Sequence, residues 1–460
     1  MMIPARPIRW MLCLSAAAAA CSGDTVEPNL PTFLAANVVQ NPANALAGIL
    51  TVRAAGFDSA AARYWTGTSP AERTPAYRFG PDSLARVPIL GLGESATYQI
   101  ETVVYEGGVA LAADTSTLQS GQLPSWIPAM GTIGVDTTPG FLTLSLPDGG
   151  VIVDNTGRVV WYAHMPAGVL NSFQAHANGT YTLRDTPGVI HVLNVLGEEL
   201  GTLDCVGYPI RTHDVMILQD GSRWVMCDDN RIMDLTGVGG RADASVTATV
   251  VQHISADGAL LFEWNAFDHF ALTDLPLADR AGDAVNFTHG NAIELDVDGN
   301  VLVSFRSLNE ITKIDVGTGD VIWRFGGLAS QFTVVNDPKG GFEHQHGVRL
   351  AGPSQLQVLD NGVNPPSRLL RYLINPVSKS ALLVLEFVDA PATHSPVGGA
   401  TDYYPDGHGV VSFGRAGRVV EVDAAGNRAW ELTGLDGVYV FRAERISSLY
   451  HPATLARPQH

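Results

Sequence analysis

Lysine is almost missing from this 460-residue chain: Lys313, Lys339 and Lys379 are the only three. Charge of either sign is scarce at 16%, and the balance is acidic, with 46 Asp and Glu against 28 Lys and Arg for a net −18. That balance excludes a nucleic-acid backbone as partner, since phosphate binding needs a basic face. Acidity of this order otherwise serves solubility. Long apolar runs are also absent beyond the N-terminus, which excludes a membrane-spanning segment there. Little charge, with 48 Gly and 27 Pro in a chain 46% hydrophobic, excludes a coiled coil or a disordered chain and suits a β-rich protein with many turns. The length calls for two or more domains.

The first residues read "MMIPARPIRWMLCLSAAAAACSGD". Arg6 and Arg9 precede a short apolar run and then small residues, the pattern of a secretory signal over 1–20 and too short to span a bilayer. Its end, "AAAAC", resembles a bacterial lipoprotein box with Cys21 as the lipidated residue, the alternative being ordinary cleavage that leaves Cys21 free. The expectation is an exported bacterial lipoprotein on the periplasmic side of the outer membrane or the cell surface, held to the membrane by its lipid. Removal of Arg6 and Arg9 takes the charge from −18 to −20. Cys13 lies in the signal, so Cys205 and Cys227 remain in an oxidising setting, on neighbouring expected strands, either as a disulfide or as two buried thiols.

Residues 21–31 read as a tether. Residues 32–121 hold short alternating runs such as "GILTVRAAG", and "LGLGESATYQIETVVYEGG" resembles the late strands of a fibronectin type III module with Tyr98 at the tyrosine corner. A small fibronectin/Ig-like β-sandwich is expected there, followed by the linker "GQLPSWIPAM".

From residue 131 to about 455 the chain repeats. "DNTGRVVW", "DGALLFEW", "DVGTGDVIW" and "DAAGNRAW" each run from an acidic turn with Gly into a strand bearing Trp161, Trp264, Trp323 or Trp430. The Trp positions differ by 103, 59 and 107, which is two, one and two units of roughly 50–60 residues. Weaker copies at 194–203 and 375–387 complete six. The expected fold is all-β: a six-bladed β-propeller preceded by the sandwich, with "GFLTLSLPDGGVIVDN" and "VYVFRAERISSLY" pairing to close the ring.

A second repeat precedes the hairpins: "HDVMILQDGSRWVM" from His213, "HGNAIELDVDGNVLVSFR" from His289 and "HGVRLAGPSQLQVLDNG" from His346. Each histidine is expected to begin the inner strand of its blade, so the three converge at one channel mouth. Arg306 ends the return strand from His289 and should face the same mouth. A guanidinium beside imidazoles favours an oxyanion over a metal ion, although Asp214 stands next to His213 as a potential ligand. His176, His344 and His408 are out of phase and read as surface or packing residues.

Together "THDVMILQDG", "HGNAIELDVDGNVLVSFRSLNEITKID", "QHGVRL…LDNG" and "YVFRAERISSLY" resemble the bacterial arylsulfotransferases, exported enzymes that use no nucleotide sulfate donor. The resemblance covers about 130 to 450. It implies that His346 is the nucleophile, that His289 and Arg306 bind the sulfuryl oxygens, that His213 assists proton transfer, and that Asn291 matches a substrate-binding Asn. It also implies a sulfohistidine intermediate, ping-pong kinetics, small phenolic donors and acceptors as partners, and no need of a metal or organic cofactor. A lipid-anchored binding module without turnover, and hydrolysis of an aryl sulfate by water, are the competing readings.

Overall fold

The computed structural model of the protein describes residues 31–455, apart from 167, 169–171 and 187. The signal, the tether and Cys21 therefore lie outside the described residues. Regular structure is almost all strand. The two α-helices among the described residues, Ala266–His269 and Leu277–Arg280, are one turn each, and no helix there is long and apolar enough to cross a membrane.

Two antiparallel sheets form the N-terminal part. One orders the strands Thr32–Gln40, Gly48–Ala55 and Leu84–Ile89; the other is built on Ser59–Trp65, Thr97–Glu106 and Val109–Gln119. Both contribute to one core that includes Leu50, Val52, Ala62, Val87, Ile100 and Val104. Thr97–Glu106 alternates buried residues with exposed or half-buried ones along its first half, as a strand does with one face on a core. The Tyr98 hydroxyl accepts the Gly93 N–H at 2.7 Å.

Six sheets follow among the described residues, each built on four antiparallel strands, with a short parallel strand added to the third and to the fifth. The first holds Phe141–Leu146, Gly149–Asp154 and Val159–His164, and takes Ala443–Ile446 from the far end of the chain as its innermost strand. The second runs from Gln174–Ala175 to Glu199–Leu203, the third from Ile210–Ile217 to Leu260–Asn265, and the fourth from Gly290–Leu295 to Val321–Gly326. The fifth runs from His346–Leu350 to Ser380–Phe387, with Thr333–Val335 added outside. The sixth runs from Ala400–Tyr403 to Arg428–Thr433, and Gly131–Ile133 pairs with its outer edge. The last and the first sheets are thus tied twice, by 443–446 and by 131–133; the second tie was not anticipated from the sequence.

Gly290–Leu295, Val301–Phe305 and Glu310–Ile314 are buried along their whole length. Both faces of that sheet are therefore covered. The Asp-Gly repeats form the outer hairpins. Asp154 Oδ1 accepts the Thr156 N–H at 2.9 Å, and Gly157 takes φ +83°, a left-handed position that favours glycine. The tryptophans that end these hairpins pack onto the following sheet. Trp161 lies 4.7 Å from the Tyr181 ring and Trp264 5.9 Å from the Phe305 ring. Burying one such ring removes about 150–250 Å² from water, worth roughly 4–6 kcal/mol.

Candidate active site

His213, His289 and His346 stand on, or immediately ahead of, the inner strands of the third, fourth and fifth sheets. His346 opens its strand and His289 immediately precedes Gly290–Leu295. His213, expected to begin its strand, instead lies within Ile210–Ile217. The strand is longer because Ile210 and Arg211 still pair with Cys227 and Met226, where Cys205 and Cys227 form a disulfide. The ladder then breaks between Arg211 and Val215, and His213 sits in the break. Similar breaks fall between Gly290 and Ala292 and between His346 and Arg349. A bulge of this kind re-aims the side chains around it.

The breaks bring the imidazoles together. His213 Nε2 and His289 Nε2 are 3.2 Å apart, with rings nearly perpendicular. His289 holds φ +52°, a left-handed conformation that costs an ordinary residue roughly 1–2 kcal/mol. It is secured by its carbonyl, which accepts the Arg306 N–H at 3.0 Å, and by the Asn286 amide 2.6 Å from Nδ1. The Arg306 bond also shows how a residue 17 positions later in the chain comes to sit beside His289. His346 is 3% exposed; its Nδ1 lies 2.7 Å from Asn361 Oδ1 and 3.0 Å from the His344 carbonyl.

His344, read from the sequence as a surface or packing residue, is part of this cluster. It adopts φ +52°, and its Nδ1 lies 3.3 Å from Arg306 Nη2. Its phase hid it, since it precedes the strand, and only its adjacency to His346 could have pointed to it. His176 and His408 do pack structurally. His176 is buried and bonded to Thr182 Oγ1 and the Ile217 N–H, and His408 pairs with Glu421 at 3.0 Å.

Burial and mutual positive charge hold the imidazoles neutral. Burial first, then the guanidinium of Arg211, puts the His213 pKa well below its ordinary value, with His346, Arg184 and Arg442 adding to the effect. Burial and then His213 do the same for His289. Burial, with Arg306 adding to it, lowers His346 to about 4 against the opposing hydrogen bond to Asn361. His213 is therefore not a resting imidazolium, as its unperturbed pKa would have made it near pH 6.5. It can give a proton only once an anion in the site has raised its affinity for one. Arg184, Arg211 and Arg442 were not singled out from the sequence. Arg211 acts from two residues away on the same strand, whereas Arg184 and Arg442, distant in sequence, act from the second sheet and from the residue ahead of the closing strand of the first.

Directly behind the histidines lies a buried ion network. Arg442 Nη2 donates to the His213 carbonyl at 3.0 Å and pairs with Asp214 at 3.2 Å, while its Nη1 pairs with Glu444 at 2.8 Å. Arg349, fully buried, pairs with Asp214 at 3.4 Å and Glu444 at 3.2 Å. Burial pulls the Arg349 pKa down, but the surrounding carboxylates, Asp214 foremost, outweigh it and raise the pKa overall. Asp214 also accepts the Ile293 N–H and the Gln174 amide, so its oxygens are engaged in tying inner strands together. Asn291 is buried, and its amide donates to the Gln345 carbonyl at 2.7 Å, bracing the residue ahead of His346.

The family model described as Arylsulfotransferase (ASST) matches residues 188–434, which include His213, His289, Arg306 and His346. No curated protein matches the chain. Among solved structures, a protein of unknown function from Bacteroides caccae is 12% identical, covers 66% of this chain and 98% of its own, and superposes with a TM-score of 0.44. A catalytically inactive virginiamycin B lyase from Staphylococcus aureus with quinupristin is 12% identical over 68% of this chain and 88% of its own, with a TM-score of 0.38. A 6-phosphogluconolactonase-like protein from Bacteroides fragilis is 10% identical over 85% and 98%, with a TM-score of 0.34.

Proposed function

The chain belongs to the arylsulfotransferase family, and from that premise we propose that it moves a sulfuryl group from an aryl sulfate to a phenol through a sulfohistidine on His346. The observation that carries the reading is the cluster itself: neutral His346, the touching pair His213 and His289, and Arg306 at the same end of three adjacent inner strands. We read the six sheets as blades of a six-bladed propeller and the N-terminal pair as an Ig-like sandwich.

In the first half-reaction the lone pair of His346 attacks sulfur. An N–S bond forms, the S–O bond to the aryl group breaks, and its electron pair leaves on the phenolate oxygen. Neutral imidazole suits this task because it needs no prior loss of a proton. Arg306 and His289 meet the sulfuryl oxygens, and the planar guanidinium offers several donors to one face. Such donors can be worth about 3 kcal/mol each where charge develops. The arriving sulfate monoanion raises the proton affinity of His213, which lets the His213–His289 pair pass a proton to the phenolate. In the second half-reaction an acceptor phenol attacks sulfur, loses its proton to the same pair, and frees His346. The ring of Phe441, 5.8 Å from His213 and stacked on Tyr439, supplies an aromatic wall suited to an aryl group.

The test is colour release from a chromogenic aryl sulfate with and without added phenol. Acceptor-dependent release supports transfer, acceptor-independent release indicates hydrolysis, and no release indicates a binding module. Without acceptor, one SO3 group should appear on the peptide containing 341–350, mapped to His346 under non-acidic conditions. We also propose export directed by the signal over 1–20, with lipidation at Cys21. Cys21→Ala should then shift the protein from the membrane fraction to the soluble one, and an unchanged membrane fraction would reject the anchor.

A further inference from the structure

We propose that Asn361 is a positioning residue that sets which ring nitrogen of His346 carries the proton, and so makes Nε2 the reacting atom. The inference rests on His346 being the nucleophile.

An isolated Asn side chain could turn either end toward a histidine, and the two ends demand opposite tautomers. Here the choice is made by backbone from the next sheet. Asn361 Nδ2 lies 2.7 Å from the Ser395 carbonyl and 2.8 Å from the Gly398 carbonyl, in the segment leading to the sixth sheet. Both partners are acceptors, so that end must be the NH2. A flipped amide would set its oxygen against two carbonyl oxygens with no donor between them. Oδ1 therefore faces His346 Nδ1 at 2.7 Å. An oxygen there needs a donor, and the His344 carbonyl at 3.0 Å needs the same one. Two acceptors on Nδ1 put the proton on Nδ1 and leave the lone pair on Nε2.

The surroundings hold Asn361 in place. It is fully buried, its carbonyl accepts the Ser367 hydroxyl at 2.6 Å, and Ser367 in turn accepts the Ser395 N–H at 2.9 Å. Gly362, at φ +70°, turns the chain immediately afterwards and donates its N–H to the Glu343 carbonyl. The "LDNG" stretch is thus a strand end that presents one amide to one imidazole. The arrangement also serves the adduct. Once Nε2 bonds to sulfur with Nδ1 still protonated, the ring is cationic, and the same two carbonyl oxygens face that charge.

The test has two parts. In wild-type protein labelled with ¹⁵N-histidine, with the His346 signals assigned by their loss in His346→Asn, the neutral ring should carry its proton on Nδ1. A proton on Nε2 overturns the proposal whatever any variant does. In Asn361→Leu, which removes the acceptor at similar size, we expect adduct formation to slow about 10–100-fold, as for other residues that orient a reacting group. We also expect a measurable population of the Nε2-protonated tautomer, with cooperative unfolding retained. A rate within twofold of wild type overturns the proposal. So does a slower rate with an unchanged tautomer, since a merely structural residue would give that. If the variant does not fold, the wild-type tautomer decides. If wild-type protein forms no adduct, the transfer reading falls, and the tautomer still judges Asn361.

Discussion

The outer and inner hairpins of the six sheets differ in one respect. Between the third and fourth strands the register slips in every sheet, at Val153, Leu193, Ile254, Ile314, Tyr372 and Val422. Between the first and second strands it slips in the third, fourth and fifth sheets only, and these are the sheets that carry His213, His289 and His346. The inner pairs of the first, second and sixth sheets run without a break among the described residues. The outer irregularity belongs to the scaffold: it accompanies the turn and serves all six units alike. The inner one belongs to the chemistry. A regular ladder would alternate side chains between the two faces of the sheet, whereas the breaks let three histidines and Arg306 meet, His213 from within its strand and the others from strand ends. The two kinds of bulge should therefore answer differently to mutation.

The largest effect is expected at an inner break. His346→Asn should remove both the SO3 adduct and turnover, a loss of more than about 10³-fold, while leaving the melting temperature close to wild type. Residual turnover above that level would mean that another residue is the nucleophile. At an outer hairpin the pattern should reverse. Trp264→Ala should cost about 3–5 kcal/mol of stability, because the ring fills the space against Phe305, and a denaturant titration should read it. Turnover per folded molecule should hardly change.

The acid response sharpens the same contrast. His346 is lowered to about 4 in the folded protein by burial, so the unfolded chain takes up its proton first. Its contribution is fully present above the ordinary value near 6.5 and is lost as pH falls from there toward 4, by roughly 3 kcal/mol at most. Denaturant curves of wild type and His346→Asn between pH 7.5 and 4 should differ in slope accordingly, with wild type losing more. No such slope difference should attend a substitution at an outer hairpin.

Smaller effects fall at the edge of the cluster. Arg306→Lys should keep the fold and slow adduct formation about 10–30-fold, since a point charge cannot reproduce the planar donor set. His344→Asn should cost less than about tenfold, acting through the contact with Arg306. Its adduct should still map to His346, and an adduct at residue 344 in wild type would reverse the assignment of these two residues.

Much of this organisation can be read along the chain because it is local. An Asp that caps its own turn, a Gly with positive φ and a Trp a few residues on act within one hairpin, so six copies could be counted and their order stated. The six copies do fall on the outermost hairpins, including the weaker ones at Glu199–Leu203 and Ser380–Phe387. The histidine phase was legible for the same reason, since each histidine lies six to nine residues before its turn. The break in Ile210–Ile217 was not, because it depends on pairing across to Cys227 and Met226.

By itself, then, the sequence determined an all-β chain with a repeated hairpin and three histidines at related positions, along with membership of a family through residues 188–434. Tertiary structure alone decided the company those histidines keep. Arg442 reaches the His213 carbonyl from 229 positions away because the end of the chain becomes the innermost strand of the first sheet. His344 faces Arg306, and Asn361 turns its oxygen toward His346, because neighbouring sheets supply the opposing groups. Hydrogen-bond direction and desolvation act over a few ångströms in space, without regard to distance along the chain. The ionisation and orientation of the site therefore belong to the packing of neighbouring sheets, not to any one of the repeats.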